Sequence, residues 1–173
     1  MDAKQIVEGI NYSFSAHAEQ PTKASKAVRK WDGTTPYGVH PTWCAMTLLQ
    51  EPMLPEAIRE RGYQTLLFHD LLEDTTAGLP EGTALEVREL VEGMTFASSD
   101  EEMEKVWERT AEVRLLKLYD KVSNLLDGVW MTSEKLERYR AYTRRLADDV
   151  ESNFGSLNIV RIARAIAPAI LTA

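Results

Sequence analysis

The sequence predicts an all-α fold, a compact multi-helix bundle, on three observations. Loop signals at 32–38 (DGTTPYG), 51–52 (EP), 75–82 (TTAGLPEG) and 98–100 (SSD) cut the chain into pieces of helical length. Within those pieces apolar residues recur at helical spacing, as at Leu85, Val87, Leu90, Val91 and Met94. Strand-like alternation of apolar and polar residues is nearly absent. Helices without strands bury their apolar faces against one another.

The elements follow in order. Residues 3–18 form a first helix, and 42–50 a second that Pro41 or Thr42 begins. A third covers 55–73, with a break expected near Gly62. Residues 83–94 make a fourth. Ser99 or Asp100 caps a long helix to about residue 128, and Thr132 or Ser133 caps another over 132–153. The last runs from 156 to 170 and bends or ends near Pro168.

The 173 residues make one domain, 1–173, long enough to bury a core without cross-links. A hydrophobic share of 44% rules against a disordered chain. The one cysteine, Cys44, allows no intramolecular disulfide and no all-cysteine metal cluster. It sits in the apolar run WCAMTLL and reads as a small buried hydrophobe. The opening residues have no basic region followed by an apolar stretch, so no signal peptide is expected and the expected compartment is the cytoplasm. The most apolar segment, LNIVRIARAIAPAILTA, is too short for a membrane span and carries Arg161 and Arg164. It reads as a core helix or a helix of a homodimer. A net charge of −7 argues against a duplex nucleic-acid partner but leaves room for an anionic small molecule.

The chemistry concentrates in three pieces. In TLLFHDLLEDT (65–75), on a wheel of roughly 100° per residue, His69, Asp70, Glu73 and Asp74 fall within a stripe about 140° wide. Three carboxylates so placed repel one another, and a bound cation would reverse that. Imidazole with carboxylate suits Mn, Fe, Zn or Ni better than Ca. The plain alternative is a solvated acidic face that happens to hold a histidine. In RLLKLYDKVSNLLDGV (114–129), Asp120 and Asn124 share the face of a strongly apolar helix, where a charge must be paired or ligate a metal. A Lys117–Asp120 or Asp120–Lys121 ion pair is the alternative. In VRKWDGTTPYGVHP (28–41), His40 precedes a proline and is expected in extended backbone just before a helix. Alone it reads as structural. Arg29 and Lys30 begin the loop and can meet phosphate. His17 has no companion and reads as a surface residue. Arg138, Arg140, Arg144 and Arg145 read as a solvated face rather than a clamp on an anion.

Taken together and in this order, the pieces resemble the HD-domain metal-dependent phosphohydrolases. The closer likeness is to the (p)ppGpp hydrolase domain of RelA/SpoT proteins and its stand-alone small homologues. RK-WDG-T-TPYGVHP, HDLLEDT, LVEGMT and LKLYDKVSNL each match a block of that family across residues 15–130. The resemblance implies that His40, His69, Asp70 and Asp120 ligate one divalent metal, manganese first, with Fe, Ni, Zn or Mg as alternatives. It implies that Glu73 and Asp74 position or deprotonate the attacking water. It gives Arg29, Lys30 and Asn124 to an anionic nucleotide substrate. The implied activity is hydrolysis of a nucleotide 3′-pyrophosphate to GDP or GTP and pyrophosphate. A general nucleotide phosphatase or phosphodiesterase, or an inactive nucleotide-binding module, is the alternative. Ser123 stands where the family often carries His or Tyr, and 96–109 and 131–173 follow no family pattern.

Overall fold

Asp2 starts the first helix through a reciprocal cap. Its carboxylate accepts from the Gln5 N–H at 2.8 Å, and the Gln5 side chain accepts from the Asp2 N–H at 2.9 Å. The structure, a computed structural model, describes residues 1–168. The end of the last expected helix, residues 169 and 170, lies outside them. The described residues form nine α-helices: α1 (Ala3–Glu19), α2 (Val39–Leu49), α3 (Glu56–Phe68), α4 (Leu71–Asp74), α5 (Leu85–Met94), α6 (Ser99–Lys105), α7 (Ala111–Leu126), α8 (Ser133–Phe154) and α9 (Asn158–Ile166). Among the described residues there is no strand, and two isolated antiparallel bridges pin loops, Pro21 to Thr75 and Val28 to Pro36. The expected all-α bundle is the fold. No helix of the described residues is long and apolar enough to cross a membrane.

The middle of the bundle is α7. Its Leu115, Leu116, Leu118, Tyr119 and Val122 are fully buried, and α2, α8 and α9 pack around it. One contiguous core joins these to Cys44, Leu48, Leu66, Leu146 and Ile159. Cys44 is the buried hydrophobe its sequence context implied.

Four boundaries depart from the sequence reading, each for a local reason. First, α2 begins at Val39, because Pro36–Gly38 already turn: the His40 N–H donates to the Tyr37 carbonyl at 3.0 Å. His40 therefore sits in the first helical turn and not in extended backbone. Pro41 is harmless there, since first-turn N–H groups have no helical acceptor. Second, α3 runs unbroken through Gly62. The glycine serves a close approach: a Cβ there would lie 2.4 Å from Leu48 Cδ2 on α2. Third, the helix is interrupted at His69 and Asp70, with Asp70 at φ −93°, ψ −4°, and α4 is a single turn. Fourth, the long helix expected from 99 to 128 is two. Thr110 caps α7 by accepting from the Val113 N–H at 3.3 Å, so the chain turns at Val106–Arg109 and α6 folds back along α7.

Candidate metal centre and cleft

The two buried imidazoles are fixed from behind. His40 lies on α2 and its Nδ1 is 2.8 Å from Ser123 Oγ of α7. His69 follows α3, and its Nδ1 is 2.7 Å from the Leu66 carbonyl, an acceptor only, so Nδ1 carries the proton. Each Nε2 then faces inward. Both Nε2 atoms are buried and have no hydrogen-bond partner among the described residues. They face two carboxylates. Asp120 Oδ1 is 3.3 Å from His40 Nε2 and 3.7 Å from His69 Nε2. Asp70 Oδ2 is 3.5 Å and 3.2 Å from the same atoms. The ligand atoms of His40, His69 and Asp120 all lie within 4.8 Å of one another, the dimensions of a site for one ion.

Buried polar atoms without a partner are costly unless something satisfies them. A divalent cation fits this donor set, two imidazoles with carboxylates. The local field agrees. Burial opposes charge on His69, yet Asp70 and Asp120 overcome it and lift its pKa to about 9. A proton is held where a cation would sit. Burial keeps His40 neutral, below its ordinary value. Burial also works against the Asp70 and Asp120 charges. The two imidazoles hold Asp70 well below the carboxylate range, and Lys121 and Lys117 do the same for Asp120.

The other polar groups are each anchored. The Tyr37 hydroxyl donates to Asp70 Oδ2 at 2.8 Å. Asn124 Nδ2 donates to Asp120 Oδ1 at 2.6 Å, while its Oδ1 accepts from Arg29 at 3.0 Å. Arg29 Nε donates to Asp127 at 2.7 Å, and the guanidinium lies over the Tyr37 ring, 5.1 Å from its centre. Asp74 is buried and paired with Lys26 at 2.6 Å. Burial and the neighbouring Asp70 still push its carboxyl upward. Glu73 keeps contact with solvent and accepts from the Phe96 N–H at 2.8 Å. Partial burial and Asp70 push it upward too.

Asp70 and Asp120, with Tyr37, Asn124, Arg29, Glu73 and Asp74, line one open cleft of about 860 Å³. Seven of the 20 Lys and Arg side chains border it, against five of the 27 acids, so a chain of net charge −7 presents a locally cationic cleft. The structure brings together all the candidate residues the sequence singled out: Asp70, Asp120, Glu73, Asp74, Arg29, Lys30 and Asn124 line the cleft, and His40 and His69 are buried against Asp70 and Asp120. Lys30 lies over the Trp130 ring at 4.5 Å. Both ion pairs named as alternatives for Asp120 are present, at 3.4 Å to Lys117 and 3.1 Å to Lys121, but on Oδ2, while Oδ1 faces the histidines and Asn124. His17 corrects the surface reading. It is 1% exposed and its ring stacks on Tyr37 at 4.5 Å, because α1 packs across α2 and α4. Of the four C-terminal arginines, Arg138 and Arg145 are exposed, Arg140 and Arg144 half-buried, and none borders the cleft.

Sequence reasoning missed Tyr37, Ser123, Asp127 and Lys26. For Ser123 and Asp127 a signal existed, since they lie three and seven positions after Asp120 on one helix. Tyr37 and Lys26 act through tertiary packing that no spacing encodes.

No protein-family model matches the chain, and no curated protein matches it in sequence. Among solved structures it is similar to a metazoan ortholog of SpoT that hydrolyzes ppGpp and plays a role in starvation responses. The TM-score is 0.73 at 22% identity, over 96% of this chain and 95% of that one. The likeness shows the fold: the chain shares the all-helical architecture of that protein.

Proposed function

We propose that the chain is a metal-dependent phosphohydrolase that removes the 3′-pyrophosphate of (p)ppGpp-like nucleotides. The observation that carries this is the pair of orphaned His40 and His69 Nε2 atoms, converging with Asp120 and Asp70 on the floor of a cationic cleft. The fold shared with a ppGpp-hydrolyzing protein supports the choice of substrate.

His40, His69, Asp70 and Asp120 would hold the cation, with manganese the first expectation. Bound there, it supplies Lewis acidity that acidifies water near neutral pH and offsets phosphate charge. The chain's own groups do the rest. Glu73 or Asp74, both pushed above the ordinary carboxylate range, accepts the proton of the attacking water. The water oxygen bonds to the phosphorus attached to the ribose 3′-oxygen. The P–O3′ bond breaks, the proton passes to O3′, and pyrophosphate leaves. Arg29 and Lys30 offer positive charge to the phosphates. Asn124, tied to both Asp120 and Arg29, holds those two in register.

The test is turnover of ppGpp with Mn²⁺, with products resolved by anion exchange. GDP and pyrophosphate in equal amounts support the reading. Orthophosphate from mononucleotides, with ppGpp untouched, replaces it with a general nucleotide phosphatase.

A further inference from the structure

Behind Asp120 lies a buried ion cluster that the proposed reaction does not use. Lys117 and Lys121 both reach Asp120 Oδ2, and both also reach one oxygen of Glu102, at 3.0 and 2.9 Å. All four side chains are less than a tenth exposed. Their charges cancel. Glu102 reaches the lysines only because the chain turns between α6 and α7. On one continuous helix Glu102 and Lys117 would stand about 22 Å apart along the axis.

Cancellation matters because a dication would sit on the other side of Asp120. Two ammonium groups sharing a single buried carboxylate would leave a net positive charge against that ion. They would also draw Asp120 toward themselves and away from the histidines. Glu102, Lys117 and Lys121 all border the cleft as well, so the same lysines face the phosphates of a ligand.

We propose that Glu102 is a positioning residue that sets the charge of the site. It shares Lys117 and Lys121 with Asp120, which keeps Oδ1 available to a divalent cation, and it limits the positive charge the cleft offers to phosphate. The inference rests on the metal-dependent reading above. It gives one substitution effects of opposite sign on two ligands, which loss of packing does not produce.

The experiment uses the full chain, stripped of metal and titrated calorimetrically with Mn²⁺ alone, then Mn²⁺-loaded and titrated with inorganic pyrophosphate. Glu102→Gln is expected to weaken Mn²⁺ binding by about 10- to 100-fold, the range for residues supporting a metal ligand. The same variant is expected to bind pyrophosphate more tightly. Asp100→Asn, on the exposed face of α6 and paired with Arg138, should change neither. Adding Lys121→Gln to Glu102→Gln restores the balance and should return Mn²⁺ affinity to near native. Unchanged Mn²⁺ affinity in Glu102→Gln overturns the inference, as does a fall in both affinities together. If the single variant does not fold, the double variant decides: native-like affinity supports the charge argument and weak affinity overturns it. A native chain that binds no Mn²⁺ removes the metal-dependent reading itself, and this inference with it.

Discussion

Two hydrogen bonds decide what the histidines can do. Ser123 and the Leu66 carbonyl hold the Nδ1 sides, so both Nε2 atoms point at the same small volume. Beside that centre, Glu73 and Asp74 are the two carboxylates that burial and Asp70 push upward, the direction the proposed base requires. Changing them together to Gln and Asn should lower kcat by at least about 100-fold. Mn²⁺ affinity, measured by titration, should stay within a few-fold of native, because neither carboxylate lies among the four central groups. A variant that retains turnover removes both from the role of base. At this scale the sequence was legible wherever chemistry forces residue type. Histidines and acids on one apolar background need a reason to be there, and His40, His69, Asp70 and Asp120 do converge. A partner that any cation could supply, such as Lys26 on Asp74, carries no such mark.

Helix existence was readable from spacing, and helix ends were readable where a cap is spelled out. Thr132 caps α8 as expected, accepting from the Lys135 N–H at 3.3 Å. The failures are instructive because each has a tertiary cause. Thr110 also carries a cap, but it lies inside a run whose helical periodicity continues across it. Gly62 was read as a break, whereas it is the point where α3 meets Leu48 of α2. Gly62→Ala separates the two effects. Alanine gains about 1 kcal/mol of helix propensity, whereas overpacking costs about 1–3 kcal/mol. Leu48 is fully buried and an added Cβ overlaps its Cδ2 at 2.4 Å, which places the cost at the upper end. We expect a net loss of about 2 kcal/mol in urea unfolding, with helical content by circular dichroism unchanged. A more stable alanine variant would mean that α2 and α3 can part without penalty.

At the level of the whole molecule, total composition misleads about the cleft. The chain carries 27 acids against 20 Lys and Arg, yet seven cations and five acids border the cleft, and beside it the burial of histidines becomes pH-sensitive stability. His17 shows this most cleanly, since it is not one of the four groups that converge on the centre. It lies under Tyr37 with neither ring nitrogen partnered among the described residues. Burial, with His69 and His40 adding to it against Asp70, lowers its pKa to about 4. A cation at the centre would push it the same way. The unfolded chain takes up a proton at His17 near pH 6.5, and the folded chain only near 4. The stabilisation is therefore complete above pH 6.5 and is lost as pH falls from there to about 4, by at most about 3 kcal/mol. Other groups add to the pH dependence: the downward shift of His40 acts in the same direction, and the upward shifts of Glu73 and Asp74 in the opposite one. The difference between the native chain and His17→Phe isolates the histidine, because phenylalanine keeps the stacked ring and cannot take a proton. Urea unfolding of both at pH 7 and pH 4.5 should show the native chain losing more stability than the variant on acidification. Equal losses would mean that water reaches His17 and that α1 is not sealed against the cleft.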